Sequence, residues 1–214
     1  MIEALILFAT LGIFAGLIAG MFGVGGGIIT VPVLVACFIQ YGFEEAIMIQ
    51  MAVGTSLGCI VFTGISSAYA HRQKNAINYK FFKPIALGIV IGAFLGALFA
   101  VQLNGNLLKI IIGIFALFVA IQMGINREIV LKERTKKNKE PYFVGTAIGF
   151  TSSILGIGGG IFSVPYLKAS GLPMTSSIGT SAACGVPIAI FGALGYIISG
   201  INHSLLLSLT LGYI

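Results

Sequence analysis

The residues in this chain whose types and spacing suit chemistry carry no charge. Gly23, Gly25, Gly26 and Gly27 are followed by Thr30 and Pro32; Gly156, Gly158, Gly159 and Gly160 are followed by Ser163 and Pro165. Both sets belong to one phrase, Gly-x-Gly-Gly-Gly-x-x-x-Val-Pro-x-Leu, repeated at a constant offset of 133 residues. Glycine permits left-handed backbone angles and leaves its N–H unshielded. If each knot opens a helix, the first N–H groups lack intrahelical partners and lie at the positive end of the helix dipole. Such an end binds an anion without a cationic side chain. A second repeated element, Gly54-Thr55-Ser56 and Gly179-Thr180-Ser181, adds the hydroxyls of Thr55, Ser56, Thr180 and Ser181. Gln50, one turn before Gly54, can share that helix face. The bland alternative is that the glycines only let helices cross closely and the hydroxyls bond back to their own helix. Recurrence of both elements favours a substrate site.

Other chemistries find little support. Neither glycine phrase carries the Lys-Ser/Thr of a phosphate loop, nor the strand and downstream acid of a dinucleotide site. Cys37, Cys59 and Cys184 show no paired spacing and no clustered histidines, so neither a metal site nor a disulfide framework is expected. Cys59 and Cys184 occupy equivalent positions after the two Gly-Thr-Ser elements and form a candidate thiol pair for a sulfur relay; inert packing is the ordinary reading of such cysteines. No base stands beside a plausible nucleophile, so no enzyme activity and no cofactor are expected.

The elements that must position these residues belong to a membrane. Only 8% of the 214 residues are charged, against roughly 25% in a soluble domain, and 57% are apolar. Several apolar runs reach about 18 residues or more, enough to cross a bilayer core. In chain order the segments are about 2–21, 28–42, 44–69, 82–101 and 107–125, then 142–155, 161–170, 174–199 and one beginning near 203. Four glycines in five positions cost a helix roughly 1 kcal/mol each, so both knots should break the chain, with Pro32 close to the first turn of the helix that resumes. Gly88, Gly92 and Gly96 should form a close-packing face. The expected architecture is an all-α polytopic membrane protein of two repeats, 1–125 and 141–214, joined by a basic connector at 126–140. The second repeat stops partway through its fourth segment; a full copy would need roughly 30–45 further residues.

Charge sets the orientation. Of the twelve Lys/Arg, four lie in 72–83 and six in 127–139, and the positive-inside rule puts loops 71–83 and 126–140 in the cytoplasm. The basic balance therefore reports membrane orientation and not a nucleic-acid partner. With the Glu44-Glu45 turn outside, the N-terminus also falls outside and the second repeat starts inside. The repeats are then inverted, as in many secondary transporters, and their glycine breaks would meet near mid-membrane. His71 and Arg72 sit at a cytoplasmic span end, as an interface anchor or as an inner gate or anion-attracting mouth. All six glutamates lie at span ends or in loops and there is no aspartate. Neutral donors without buried carboxylates suit an anion better than a cation.

The twin glycine phrases, the Gly-Thr-Ser elements, the stretch His71-Arg72-Gln73-Lys74-Asn75-Ala76-Ile77-Asn78-Tyr79-Lys80 and the glycine-rich segment after it resemble the TauE/SafE family of sulfite exporter-like (TSUP) transporters. The resemblance covers nearly the whole chain. Ser152-Ser153 depart from the first copy, which has Ala19-Gly20. What the resemblance implies is an inner-membrane carrier of small sulfur-containing anions such as sulfite, sulfoacetate or thiosulfate. The residues themselves imply a small-anion carrier working by alternating access between inverted halves. Another small organic acid or a metal oxyanion remains open as cargo, as does a membrane scaffold or sulfur-relay protein.

Overall fold

The computed structural model describes residues 10, 12–13, 27–125, 140–201 and 213–214. Most of the first apolar segment, Gly23, Gly25, Gly26, nearly all of the basic connector and most of the segment after 203 lie outside the described residues. Seven helices account for the rest: α1 (Gly27–Gln40), α2 (Glu45–Gln73), α3 (Tyr79–Gln102), α4 (Gly105–Ile125), α5 (Glu140–Leu155), α6 (Gly160–Ala169) and α7 (Met174–Gly200). By length and composition α2, α3, α4 and α7 can each cross a membrane. The protein is thus a multi-pass, all-α membrane protein among its described residues.

Two details depart from the sequence reading. The loop expected over 71–83 is shorter, because α2 continues to Gln73 and α3 restarts at Tyr79. Residues 74–78 make the turn with Asn75 in the left-handed region (φ 51°). Asn78 then caps α3, its side chain accepting the Lys80 N–H at 3.2 Å. The other departure is Pro32, which lies inside α1 and not in its first turn. There it withholds the donor that would bond the Ile28 carbonyl. Pro165 stands at the same depth in α6.

Packing is organised by glycine. Gly88, Gly92 and Gly96 of α3 meet the backbones of Tyr142, Thr146 and Phe150 of α5, and Gly145 and Gly149 return the contact against Ile85 and Ile89. Both series rise together along the chain, so α3 and α5 run parallel with their backbones touching. In contrast, α2 and α7 run antiparallel: a Cβ on Gly64 would lie 3.6 Å from Val186, one on Gly192 3.0 Å from Leu57 and one on Gly54 3.3 Å from Tyr196. Dispersion between closely approaching backbones is what holds helices together in lipid, where apolar burial alone gives no net drive. Helix α4 is peripheral. Only 11% of its apolar stretch is buried against 61% for α2, and Ile110, Ile114, Leu117 and Phe118 are exposed, as a lipid-facing helix requires.

A side chain at Gly92 would have to displace the Thr146 backbone. Gly92→Ala should therefore lower the thermal unfolding midpoint in detergent, at a cost of about 1–3 kcal/mol. A methyl group on Gly113 would meet nothing within 4 Å, so Gly113→Ala should leave the midpoint unchanged or slightly raised.

Candidate functional site

The second glycine phrase is a break built from two left-handed glycines. Gly156 (φ 69°) ends α5, and the Ile157 N–H returns to the Ser152 carbonyl at 3.0 Å. That six-to-one closure is a Schellman stop, which needs a residue without a Cβ penalty at Gly156. Gly159 (φ 74°) is the N-cap of α6. Its carbonyl accepts the Phe162 and Ser163 N–H groups at 3.1 and 2.9 Å. Only a few residues separate one helix end from the next start, and both ends are buried.

The two hydrogen-bonding faces of this break are treated differently. Two of its four carbonyls are capped: Ser56 Oγ donates to the Gly156 oxygen at 2.9 Å, and Ser163 Oγ donates to the Gly159 oxygen at 2.8 Å. Ser163 and Ser181 hydroxyls lie 2.6 Å apart, so with Ser163 committed to Gly159, Ser181 donates to Ser163. The N–H groups of Gly158, Gly159, Gly160 and Ile161 find no acceptor among the described residues. The break therefore presents donors, at the positive end of a ten-residue helix.

Other elements close on the same point. Gly27, the first described residue of α1, packs directly on the Gly156 carbonyl, and a Cβ there would lie 2.7 Å from Ile157 Cα. The first and second phrases are thus in contact. A Cβ on Gly156 would lie 2.9 Å from Val31 of α1 and 3.2 Å from Val53 of α2. From α7, Gly185 admits the Gly158 carbonyl, and Ser181 Oγ lies 3.8 Å from the Cβ position of Gly160.

Of the residues expected at the site, Gly27, Ser56, Gly156, Gly158, Gly159, Gly160, Ser163 and Ser181 come together. Thr30 is half-buried on α1, while Pro32 is exposed and Pro165 half-buried beyond the first turn of α6. Thr55 is half-buried beside Ser56. Gln50 is buried but engaged elsewhere: its Nε2 donates to the Leu103 carbonyl at 3.0 Å, bracing the α3–α4 turn. Thr180 is fully buried and accepts the Asn78 N–H at 2.9 Å. Ala76 packs on Gly179 beside it, so loop 74–78 is seated on α7. Arg72, Asn75, Ile77 and Tyr79 line a cleft of about 460 Å³ at that end of the bundle. His71 is half-buried one residue before Arg72. Cys59 is exposed and Cys184 fully buried, both as free thiols. Among the described residues no cluster of His, Cys, Asp or Glu suits a metal.

Two further buried hydroxyls adjoin the break. Ser152 and Ser153 are both fully buried, and neither Oγ has a partner among the described residues. Their only sequence signal is that they interrupt the likeness between the two phrases. Asn78, for its part, is legible in the sequence only as a member of a basic loop.

The profile of the family described as Sulfite exporter TauE/SafE matches residues 8–214. The chain belongs to the TauE/SafE family. It is 35% identical over 217 residues to a "Probable membrane transporter protein" of Haemophilus influenzae, covering 100% of this chain and 81% of that one. A protein of the same description in Methanocaldococcus jannaschii is 31% identical over 187 residues, covering 86% and 68%. Bacillus subtilis YunE, also described as a probable membrane transporter, is 29% identical over 219 residues, covering 91% and 79%. No solved structure matches. Membership in a family of membrane transporters agrees with a protein that is not an enzyme.

The Ser56–Gly156 bond joins elements 100 residues apart. Ser56→Ala leaves a buried carbonyl without its donor, and should cost about 1–3 kcal/mol of stability. Thermal unfolding in detergent measures it, and Ser66→Ala, an exposed position on the same helix, is the matched control.

Proposed function

We propose that this TauE/SafE protein is an inner-membrane secondary transporter for a small anion, with the glycine break as its substrate site. The carrying observation is the split in hydrogen bonding at Gly156–Ile161. The Gly156 and Gly159 carbonyls, which would repel an anion, are capped by Ser56 and Ser163, while the N–H groups at the α6 start have no acceptor among the described residues. Irregular backbone at membrane depth is tolerated only where it is buried in protein or lines a cavity, and donors left over in such a place are suited to an oxyanion. The family's description as a sulfite exporter favours a sulfur-containing oxyanion or organosulfonate, such as sulfite, sulfoacetate or thiosulfate. A small organic acid or metal oxyanion would use the same donors.

Alternating access rests on two inverted repeats, 1–125 and 141–214 joined by the connector at 126–140. The antiparallel course of α2 and α7, which carry the two Gly-Thr-Ser elements, supports that relation. So does the parallel course of α3 and α5, which both run outward when loops 71–83 and 126–140 are cytoplasmic and the N-terminus is outside. The contact of Gly27 with Gly156 and Ile157 is then the meeting of the two breaks. In this reading loop 74–78, hydrogen-bonded to Thr180, is the inner gate, and the Arg72 cleft beside it is the cytoplasmic mouth.

Two measurements test the reading. Gly159→Val forces a β-branched residue into a left-handed position against Ile188 and Ser152. It should abolish uptake of labelled sulfite, sulfoacetate and thiosulfate into proteoliposomes while the protein still inserts; normal flux of any of the three would sink the site. Arg72→Gln should raise KM by roughly 2- to 10-fold with little change in maximal rate, the difference shrinking at high salt, as expected of a charge that attracts an anion from solution. An unchanged KM would remove Arg72 from the mouth.

A further inference from the structure

We infer that Ser152 is a substrate-contacting residue, and that its hydroxyl seats the anion's charged head on the second break. This rests on the small-anion reading above and assigns a donor within it. Ser152 lies on the last turn of α5, where its carbonyl is fixed by the Ile157 N–H in the helix stop. The side chain is completely buried, and its Oγ has no hydrogen-bond partner among the described residues. It is directed at the break: Oγ lies 3.2 Å from the Cβ position of Gly159, the N-cap of α6. The unpaired N–H groups of Gly160 and Ile161 follow immediately.

A buried hydroxyl without a partner is costly in the empty protein, since its lost hydration is not replaced. Beside it the other hydroxyls of the site are occupied: Ser163 donates to Gly159 and Ser181 to Ser163. Ser152 is therefore the side-chain donor held ready next to the α6 start. One oxygen of an oxyanion head bridging Ser152 Oγ and the first N–H groups of α6 would satisfy both at once. The equivalent of Ser152 in the first phrase is Ala19, which has no donor to offer.

The adjacent serine gives an internal control. Ser153 is equally buried and equally unpartnered, yet its Oγ faces α7, 3.0 Å from the Cβ position of Gly192. Affinity for sulfite, sulfoacetate and thiosulfate is measured by titration calorimetry on the purified full chain, alongside the unfolding midpoint without ligand. Ser152→Ala should weaken binding on the order of tenfold, the loss of one hydrogen bond to a charged group, while the ligand-free midpoint stays the same or rises because an orphan hydroxyl is gone. Ser153→Ala should leave affinity within about twofold. Ser152→Cys, which keeps the shape and a weaker donor, should fall between, and it decides the matter if Ser152→Ala does not fold. Unchanged affinity in the Ser152 variants overturns the assignment. So does an equal loss in Ser153→Ala, which would mark both serines as packing. A wild-type protein that binds none of the three anions overturns the small-anion reading itself.

Discussion

A helix that stops inside an apolar bundle leaves carbonyls at one end and N–H groups at the next, with no water to take them. That constraint governs this structure. At Gly156–Gly159 the chain solves half of it. The Schellman closure and the hydroxyls of Ser56 and Ser163 satisfy the carbonyls of Ser152, Gly156 and Gly159, and the N–H groups of Gly158, Gly159, Gly160 and Ile161 remain among the described residues. Because Ser56 comes from α2, the break is stabilised by an element distant in sequence. The site and the packing of the bundle are therefore one arrangement: α2 cannot be moved away without stripping the Gly156 carbonyl of its donor.

The same dependence runs through the glycines. Parallel contact of α3 with α5 requires Gly88, Gly92, Gly96, Gly145 and Gly149 to present bare backbone. Since α5 ends at the break, this seam also fixes the height at which Gly156 stands. On the opposite side α7 crosses α2 and carries Ser181 and Gly185 to the break and Thr180 to loop 74–78. A displacement of α7 against α2 would act on the Ser163–Ser181 contact and on the loop together. Coupling between a site and a gate needs such a shared rigid element.

Helices and their order are legible in the sequence because apolar length and glycine-proline punctuation are local properties. Every described helix lies within a few residues of its expected bounds. The left-handed angles at Gly156 and Gly159 also follow from local chemistry, since only glycine is at ease there. Partners are not legible. Gln50 sits one turn from Gly54 in sequence, yet its amide is drawn to Leu103 by the α3–α4 turn. Thr180 reads as a twin of Thr55, but it serves loop 74–78. Cys59 and Cys184 are equivalent by repeat and differ in burial, one exposed and one enclosed. Pro32 falls deeper in its helix than its spacing suggests because α1 already includes Gly27, the last glycine of the run. For Gln50, Thr180 and the two cysteines, tertiary neighbours, which periodicity cannot reveal, chose the role.

Neutral donors are also the physically sensible way to carry an anion and then release it. A buried arginine or lysine would attract an oxyanion strongly in a low dielectric, but would itself have to be desolvated and would hold the cargo against release. Backbone N–H groups cost little to bury when a ligand is present, and each hydrogen bond to a charged acceptor contributes about 1.5–3 kcal/mol. A handful of them binds a small anion firmly enough to strip its water. Binding must still be weak enough for the cargo to leave, and that balance is what moving substrates require. The chain's charged residues follow the same logic. No carboxylate lies deep within an apolar stretch to repel an anion, and Arg72 stands at an end of the bundle, where it meets solvent. On the proposed reading attraction is left to Arg72, and the donors at the described break are dipoles.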